Sequence, residues 1–157
     1  MELNILFEND YLPVLKHIIN KATRSIYMSI YVAKIFKNRK QDDIKLLFDD
    51  LIIAAKNNID VKILFNSILN NSLVSRANKN TFFYLKNTNI QLKYTPDSRT
   101  THCKIIIIDD NISILGSHNL SNTSLHKNRE VSILIKDELT NKILKEYFLK
   151  NFREARE

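Results

Sequence analysis

Short apolar runs that predict strands alternate along this chain with segments whose apolar side chains recur at helical spacing. The predicted strands lie at 3–7, 25–32, 61–65, 90–94, 103–108, 112–115 and 131–135. The predicted helices lie at 10–21, 42–56, 72–85 and 137–152. No internal repeat or linker interrupts the pattern, so we expect residues 1–157 to form a single domain.

The order of these elements predicts how the strands pair. Strands alternate with helices in the first half of the chain, which predicts crossover connections and parallel pairing. The tight turn at 109–111 predicts instead an antiparallel hairpin, because Asn111 tolerates a left-handed conformation. We therefore expect an α/β fold with a mixed, largely parallel β-sheet that is flanked by helices on both faces.

Composition and charge narrow the range of partners. Of the 157 residues, 44% are hydrophobic and 26% are charged, which is typical of a folded globular protein. The formal net charge of +7 favours polyanions, with nucleic acid first and an anionic membrane surface second. A lysine-rich solvated surface is the alternative, so charge alone favours a nucleic-acid partner only modestly.

Targeting segments and metal ligands are not evident. The first residues lack the basic and apolar regions of a secretory signal, and no apolar run is long enough to span a bilayer. We therefore expect a cytoplasmic protein with no stable membrane association. The four histidines are not spaced as in a metal finger, and there is one cysteine. The sequence thus predicts neither a metal nor a cofactor.

Side chains suited to bind a phosphate lie at the ends of two neighbouring predicted strands. His102 and Lys104 are two residues apart, so on a strand they point to the same face, with an imidazole beside a fixed cation. Gly116, the only glycine in the chain, follows the next strand with Ser117 and Asn119. Because a tight hairpin joins the two strands, their outer ends lie side by side, and we expect these groups to converge.

The spacing of these residues resembles the motif of the phospholipase D superfamily. The matching pattern is His102-x-Lys104, four residues, Asp109, six residues, and then Gly116-Ser117-x-Asn119. The downstream pair Asn128-x-Glu130 is similar to the family's trailing acidic element. Full-size members carry two such motifs and this chain carries one. It therefore resembles the family's short, single-motif nuclease branch, which includes small bacterial endonucleases and the Zucchini type. This resemblance implies a phospholipase D-like fold.

The resemblance implies a metal-independent phosphodiesterase, in which one histidine attacks phosphorus and a second protonates the leaving oxygen. One motif supplies one histidine, so two copies of His102 in a homodimer would complete the site. Lys104 and Asn119 would hold the phosphate oxygens. Ser117 and Glu130 would orient the imidazole from behind.

Asp109 belongs to the same motif and is therefore a candidate catalytic residue by resemblance. Strand parity nevertheless points its side chain away from His102 and Lys104. We therefore expect Asp109 to form the turn, with its carboxylate bound to backbone N–H groups, and not to act as a general base.

Several further residues are candidates for contacting the substrate. They are Gly116, His118, Lys34, Lys37 and Arg39. The glycine would let the backbone approach a ligand closely or adopt a positive φ. A packing role for His118 and a solvated loop for the basic stretch at 34–40 are the alternatives. Tyr27 and Tyr31, on the preceding strand, are expected to be core residues rather than platforms for stacked bases.

Charge and the short single-motif chain together predict an endonuclease that cleaves DNA or RNA through a phosphohistidine intermediate. A phospholipase D-type hydrolase of phospholipid headgroups, with cardiolipin-like substrates, is the first alternative. A catalytically inactive nucleic-acid-binding relative is the second. The sequence does not distinguish DNA from RNA, because it carries no recognition helix or RNA-binding signature.

Overall fold

The structure is a computed structural model that describes residues 1–36, 42–96 and 98–157. Its strands are β1 (Glu2–Phe7), β2 (Ser25–Ile30), β3 (Asp60–Phe65), β4 (Gln91–Tyr94), β5 (Ile105–Ile108), β6 (Ile112–Gly116) and β7 (Val131–Lys136). Its helices are α1 (Tyr11–Asn20), α2 (Asp43–Lys56), α3 (Leu73–Leu85), α4 (Asn122–His126) and α5 (Glu138–Glu154), with a 3-10 helix at Glu8–Asp10. Every predicted strand and helix is present, whereas α4 was not predicted. Within the described ranges, no helix is both long and apolar enough to cross a membrane.

The seven strands form one sheet in the order β1-β7-β6-β5-β2-β3-β4. β2 pairs in parallel with β3, and β3 with β4, whereas the other four pairings are antiparallel. The predicted mixed α/β fold is confirmed, but parallel pairing does not predominate. Five strands run in one direction and only β5 and β7 are reversed. Because both reversed strands lie inside the sheet, each of them makes two antiparallel pairs.

Helices cover both faces of the sheet, as predicted. On one face, residues of α1, α2 and α3 pack with alternate strand residues such as Met28 and Ile106. On the other face, Phe148 of α5 packs with Ile107 and its neighbours. All four isoleucines of β5 are buried, two in each cluster, so this strand is fixed from both sides.

The β5–β6 hairpin places the candidate site at one end of the sheet. Ile105, the first residue of β5, lies opposite Leu115 near the end of β6. The segment that carries His102 and Lys104 therefore enters the sheet beside the segment that leaves it after Gly116. β5 begins at Ile105 rather than at residue 103, so both side chains lie on the extended chain just before the strand.

Candidate active site

His102 and Lys104 lie together at this end of the sheet. Lys104 Nζ lies 3.5 Å from His102 Nε2 and donates a 2.8 Å hydrogen bond to the carbonyl oxygen of His102. The His102 side chain is exposed, whereas Lys104 is half-buried. The pair therefore presents an imidazole and an ammonium side by side, an arrangement that suits a phosphodiester anion.

The surroundings of Lys104 affect both its proton affinity and its strength as an anion ligand. Burial lowers the pKa of this ammonium, and the electrostatic influence of Cys103 and Glu130 raises it in part. A charge that is partly withdrawn from water interacts more strongly with an opposite charge, because solvent screens it less. Lys104 is thus better placed to hold a phosphate oxygen than a fully solvated lysine.

Tyr31, directly after β2, packs against both members of this pair. Its ring meets the His102 imidazole edge-on with centroids 4.4 Å apart, and Lys104 Nζ lies 4.9 Å from the Tyr31 ring centroid. Tyr31 is half-buried, so the expectation of a core residue is wrong for this tyrosine. Its role became visible only with the strand order, because β2 lies next to β5 in the sheet.

Ser117 and Glu130 form the second part of the site. Ser117 Oγ donates a hydrogen bond to Glu130 Oε2, and the N–H of Val131 donates to the same Oγ at 3.1 Å. Ser117 N–H also donates to the Val131 carbonyl at 3.0 Å. Among the residues that the structure describes, no hydrogen bond joins Ser117 or Glu130 to the His102 ring. Their orienting effect on the imidazole therefore stays a prediction.

Glu130 gathers hydrogen bonds from the loop after β6. Its Oε1 accepts from Ser124 Oγ at 2.8 Å and from Asn128 Nδ2 at 3.0 Å. Burial alone would raise the pKa of Glu130, but hydrogen bonds from Ser117, Asn128 and Ser124 hold this pKa below its ordinary value. The carboxylate therefore remains ionised at neutral pH, near the Lys104 ammonium.

Ser124 connects Glu130 to Asn119, and it was not among the residues predicted from the sequence. Ser121 Oγ caps α4 by accepting the Ser124 N–H at 3.2 Å, and Ser124 Oγ accepts from Asn119 N–H at 2.8 Å. The available signal was Ser121 three residues earlier, which is the spacing of a helix N-cap. The helix is too short to show an apolar period.

Asn119 is held in place by the backbone around it. The Leu120 N–H donates to the Val32 carbonyl at 3.1 Å, and the Lys34 N–H donates to the Leu120 carbonyl at 2.8 Å. These bonds tie the segment after β6 to the segment after β2. Asn119 Oδ1 is buried and has no hydrogen-bond partner among the described residues. The position of the carboxamide is therefore set by the chain rather than by its own side-chain bonds.

Gly116 allows β6 and β7 to approach each other closely. A Cβ at this position would lie 2.0 Å from Ser132 Oγ and 2.5 Å from Ser132 Cα on β7. The φ of Gly116 is not positive. The expectation of a positive φ is therefore wrong, because the constraint comes from strand pairing with Ser132, while a contact of Gly116 with substrate stays a prediction.

His118 is buried and is not a substrate contact. Its ring stacks on Tyr11 with centroids 4.2 Å apart. Its Nδ1 lies 2.8 Å from Ser132 Oγ and its Nε2 lies 3.2 Å from the Glu8 carbonyl. Burial lowers the pKa of His118, which favours the neutral ring in this interior position. The packing alternative is the correct one, because only 1% of the residue is exposed.

Asp109 lies at the opposite end of β5 from His102 and Lys104, where it forms the turn and binds backbone N–H groups as predicted. Its carboxylate accepts hydrogen bonds from the backbone N–H groups of Thr23 at 3.0 Å, Arg24 at 2.8 Å and Ser25 at 2.9 Å. Its φ is 52°, in the left-handed region. Asp109 therefore joins the β5–β6 turn to the start of β2, and its inclusion among the catalytic residues is wrong.

The basic candidates after β2 are only partly described. The side chain of Lys34 is exposed, and its Nζ lies 5.0 Å from the ring centroid of Phe36. Lys34 follows Tyr31 by three residues, so it lies close in sequence to the tyrosine that packs against His102 and Lys104. Lys37 and Arg39 lie outside the described residues.

Comparison with protein families identifies relatives of this chain. The family model described as "Cardiolipin synthase, PLD-like domain" matches residues 15–152. Cardiolipin synthase A of Pseudomonas putida is 29% identical over 112 residues, which cover 71% of this chain and 23% of that protein. The chain thus spans about a quarter of the length of the curated relatives it matches.

Two solved structures share the fold over nearly their whole length. The phospholipase D family member Nuc from Salmonella typhimurium matches with a TM-score of 0.80 and 23% identity, covering 99% of this chain and 96% of that one. NucT from Helicobacter pylori matches with a TM-score of 0.78 and 22% identity, covering 99% of both chains. With the family match over residues 15–152 and one His-x-Lys motif at the site, this chain is a single-motif member of the phospholipase D superfamily.

Proposed function

We propose that this chain is a metal-independent phosphodiesterase that cleaves nucleic acid and works as a homodimer. The observation that carries the proposal is the exposed His102 imidazole with Lys104 Nζ 3.5 Å from its Nε2. A nucleophile and a fixed cation at this distance contact the same phosphate group.

The first step transfers the phosphoryl group to the enzyme. His102 Nε2 attacks phosphorus, the bond between phosphorus and the leaving oxygen breaks, and a phosphohistidine forms. The leaving oxygen takes a proton from His102 of the second copy, which acts as general acid. Charge that develops on the other phosphate oxygens is offset by Lys104 and its copy, with Asn119 as a further donor.

The second step returns the enzyme to its starting state. His102 of the second copy, now neutral, removes a proton from water, and the hydroxide attacks the phosphohistidine. The bond between nitrogen and phosphorus breaks, and the product leaves as a phosphate monoester. The two roles need two motif histidines and this chain carries one such motif, so both steps require two copies.

Nucleic acid is supported as the substrate by charge and by likeness. The net charge of +7 attracts a polyanion from a distance and concentrates it at the surface. Two of the solved structures that match over nearly their full length are Nuc, a phospholipase D family member, and NucT. An extended phosphodiester backbone also suits an open site whose imidazole is exposed rather than enclosed in a pocket.

A cleavage assay in EDTA tests the reaction. We expect turnover of single- or double-stranded DNA or RNA without divalent metal, and a loss of at least about 100-fold in the rate for His102→Ala. His17→Ala is the matched control, because His17 is an exposed histidine on α1 and should leave the rate unchanged. Acid-labile labelling of His102 by the substrate would support the covalent intermediate.

Two results would reject the proposal. One is a rate that depends on added divalent metal, and the other is a rate that survives in His102→Ala. Binding of oligonucleotides without any cleavage would instead assign the chain to a nucleic-acid-binding role.

A phospholipid substrate is the second candidate, and the relatives favour it. The Pseudomonas putida relative is a cardiolipin synthase, and the matching family model carries the same description. The same site chemistry would act on a headgroup phosphodiester. Turnover of cardiolipin-containing liposomes compared with oligonucleotides, at equal phosphodiester concentration, separates the two candidates.

A further inference from the structure

A buried carboxamide lies behind the candidate site, on the side of the sheet that α1, α2 and α3 cover. It belongs to Asn78 on the inward face of α3, and this residue is 0% exposed. His102 and Lys104 point to the same side, because along the extended chain they have the parity of Ile106, which packs with those helices. A polar group that is buried in such a place costs free energy unless its hydrogen bonds are made.

Both polar atoms of this carboxamide bond to backbone at the ends of two strands. Asn78 Oδ1 accepts from the Ala33 N–H at 2.9 Å. Asn78 Nδ2 donates to the Tyr31 carbonyl at 2.9 Å and to the Asn66 carbonyl at 3.3 Å. Tyr31 directly follows β2 and Asn66 directly follows β3, and these strands are parallel neighbours. One side chain of α3 therefore joins the carboxyl ends of both strands.

Asn66 continues the connection to the segment that carries His102. Its N–H donates to the Ile30 carbonyl at 2.8 Å, and its Oδ1 accepts from the Thr101 N–H at 2.9 Å. Thr101 is the residue before His102, and Asn66 is itself buried. We call the side chains of Asn78 and Asn66 the carboxamide bridge, because together they link α3 to the chain on which the imidazole is carried.

The carboxamide bridge reaches the His102 ring from two directions. Tyr31, whose carbonyl it binds, packs edge-on against the imidazole with ring centroids 4.4 Å apart. Thr101, whose N–H it binds, precedes His102 in the chain. Among the described residues, the only side chain within hydrogen-bond distance of the ring is Lys104, at 3.5 Å. The place of the imidazole therefore depends on packing and on the backbone that the carboxamide bridge holds.

We infer that the carboxamide bridge is a positioning unit of the active site, which sets the place of the His102 imidazole relative to Lys104. In the part of the chain that the structure describes, it is hydrogen-bonded to neither of these side chains. The inference rests on the proposed function, in which this imidazole attacks phosphorus. It adds to that function two buried residues that act through Tyr31 and Thr101.

A second side chain of α3 supports the same strand end. Thr81, on the inward face of the helix, is 0% exposed and donates from Oγ1 to the Ala33 carbonyl at 2.9 Å. The next residue along the chain, Lys34, donates its N–H to the carbonyl of Leu120, which directly follows Asn119. The strand end that α3 holds is therefore also hydrogen-bonded to the segment that carries Asn119.

The bonds of Asn78 matter for the rate because a reacting imidazole tolerates little displacement. A shift of about 1 Å costs about 100-fold in rate, since the attacking atom then misses its line of approach to phosphorus. Without the carboxamide, the N–H of Ala33 and two carbonyl groups would be buried and unpaired. Both strand ends would then move toward other partners and take the imidazole with them. This predicts a loss in the chemical step rather than in substrate binding.

The variant Asn78→Asp tests the inference. Asp has the shape of Asn but would place an oxygen against the Tyr31 and Asn66 carbonyls, so two hydrogen bonds would be lost. We expect kcat for oligonucleotide cleavage in EDTA to fall about 10-fold or more while KM changes by less than about 2-fold, because the phosphate contacts remain. Asn66→Ala, which removes the acceptor for the Thr101 N–H, is a milder second variant with the same expected direction.

The matched control for stability is Asn141→Asp. Asn141 on α5 is also 0% exposed, and its Nδ2 donates to the Ile112 carbonyl at 2.8 Å and to Ser113 Oγ at 3.1 Å. Ile112 begins β6, at the end of the sheet opposite to the candidate site. We expect Asn141→Asp to lower the midpoint of urea unfolding about as much as Asn78→Asp does, and to leave kcat within about 2-fold of the wild-type value.

The NMR signal of the His102 ring reports its position without any turnover. Because the Tyr31 ring lies against the imidazole, a change in their distance or angle alters the ring-current shift of the imidazole protons. The signal is assigned from its absence in His102→Gln. We expect it to move in Asn78→Asp and in Asn66→Ala. It should stay in place in Asn141→Asp.

The outcomes separate this inference from the proposed function. A wild type that does not cleave would reject the proposed function, but a His102 signal that moves in the two bridge variants and not in the control would still support the carboxamide bridge. A signal that stays in place in both bridge variants would overturn the inference even where the wild type cleaves. So would an unchanged kcat in both, or an equal fall of kcat in Asn141→Asp, which general destabilisation would explain. If Asn78→Asp does not fold, Asn66→Ala decides by the same readouts.

Discussion

At the scale of single residues, Glu130 connects groups from different parts of the loop between β6 and β7. Its two carboxylate oxygens accept from Ser117 after β6 and from Ser124 in α4, and the next residue begins β7. Hydrogen bonds between its own side chains therefore hold the loop between β6 and β7 in a closed conformation. Asn119 lies inside that loop and its N–H donates to Ser124 Oγ, so its position depends on the bond that Ser124 makes to Glu130.

Asp109 is the residue whose role departs most from its place in the motif, and its replacement tests the assignment to the turn. Burial would raise the pKa of Asp109, but hydrogen bonds from the N–H groups of Ser25, Thr23 and Arg24 lower it below its ordinary value. Its contribution to stability is therefore present above the unfolded-state pKa and is lost as pH falls through the folded-state pKa. We expect Asp109→Asn to keep measurable cleavage activity and to lose about 1 kcal/mol of unfolding free energy at neutral pH.

Urea unfolding at several pH values, with cleavage assays alongside, measures both effects. Asn tolerates the positive φ of this position, so the backbone need not change. Asp110→Asn is the matched control, because Asp110 is an exposed neighbour whose partners are the side chains of Arg24 and Lys145. A loss of cleavage as complete as that of His102→Ala would overturn the assignment of Asp109 to the turn.

The sequence identified the residues of the site that share one hairpin, and not those that other elements bring to it. His102 and Lys104 were predicted together because spacing of two residues fixes their proximity. Tyr31 and Ser124 were not, because their contacts depend on strand order and on a five-residue helix. The burial of His118 depends on Tyr11, which is distant along the chain, so no local pattern predicted it.

At the scale of elements, the pairing of β6 with β7 depends on the missing side chain of Gly116. A Cβ would lie 2.5 Å from the Cα of Ser132, so the strands would have to separate. We expect Gly116→Ala to lose about 2 kcal/mol of unfolding free energy. The cleavage rate should also fall, because Ser117 follows Gly116 directly and is hydrogen-bonded to Val131, which lies next to Ser132 on β7. The midpoint of urea unfolding and the cleavage rate measure the two losses.

A second substitution distinguishes side-chain crowding from backbone crowding. Ser132→Gly removes the Oγ and Cβ that a new methyl group would strike, but the backbone at this position would still lie too close to that group. The Gly116→Ala/Ser132→Gly protein should therefore recover only part of the lost stability. An unchanged unfolding midpoint in Gly116→Ala alone would contradict the steric explanation.

The spacing of apolar residues predicted which segments form strands and helices. The order of these elements did not by itself predict the direction in which the strands pair. The alternation of strands and helices correctly gave parallel pairs among β2, β3 and β4. It could not show that β5 would insert beside β2, or that the first strand would pair with the last. Both pairings join distant parts of the chain and depend on which edges of the sheet remain open.

At the scale of the whole molecule, the proposed sharing of one site between two copies would make the cleavage rate depend on protein concentration. We expect the cleavage rate per chain to be constant at high protein concentration and to fall on dilution, as the dimer dissociates by mass action. Rates measured over a dilution series, with sedimentation at the same concentrations, test this. A rate per chain that stays constant where the protein sediments as one 18.4 kDa chain would show that a single copy is sufficient.

The pairing of β1 with β7 has a consequence for the order of events during synthesis. Residues 2–7 are translated before their strand partner at residues 131–136, and all the other strands lie between the two in the sequence. In the described sheet, β1 lies at an edge with β7 as its neighbour, so it has nothing to pair with until then. This edge of the sheet can therefore form only after residues 131–136 have been translated.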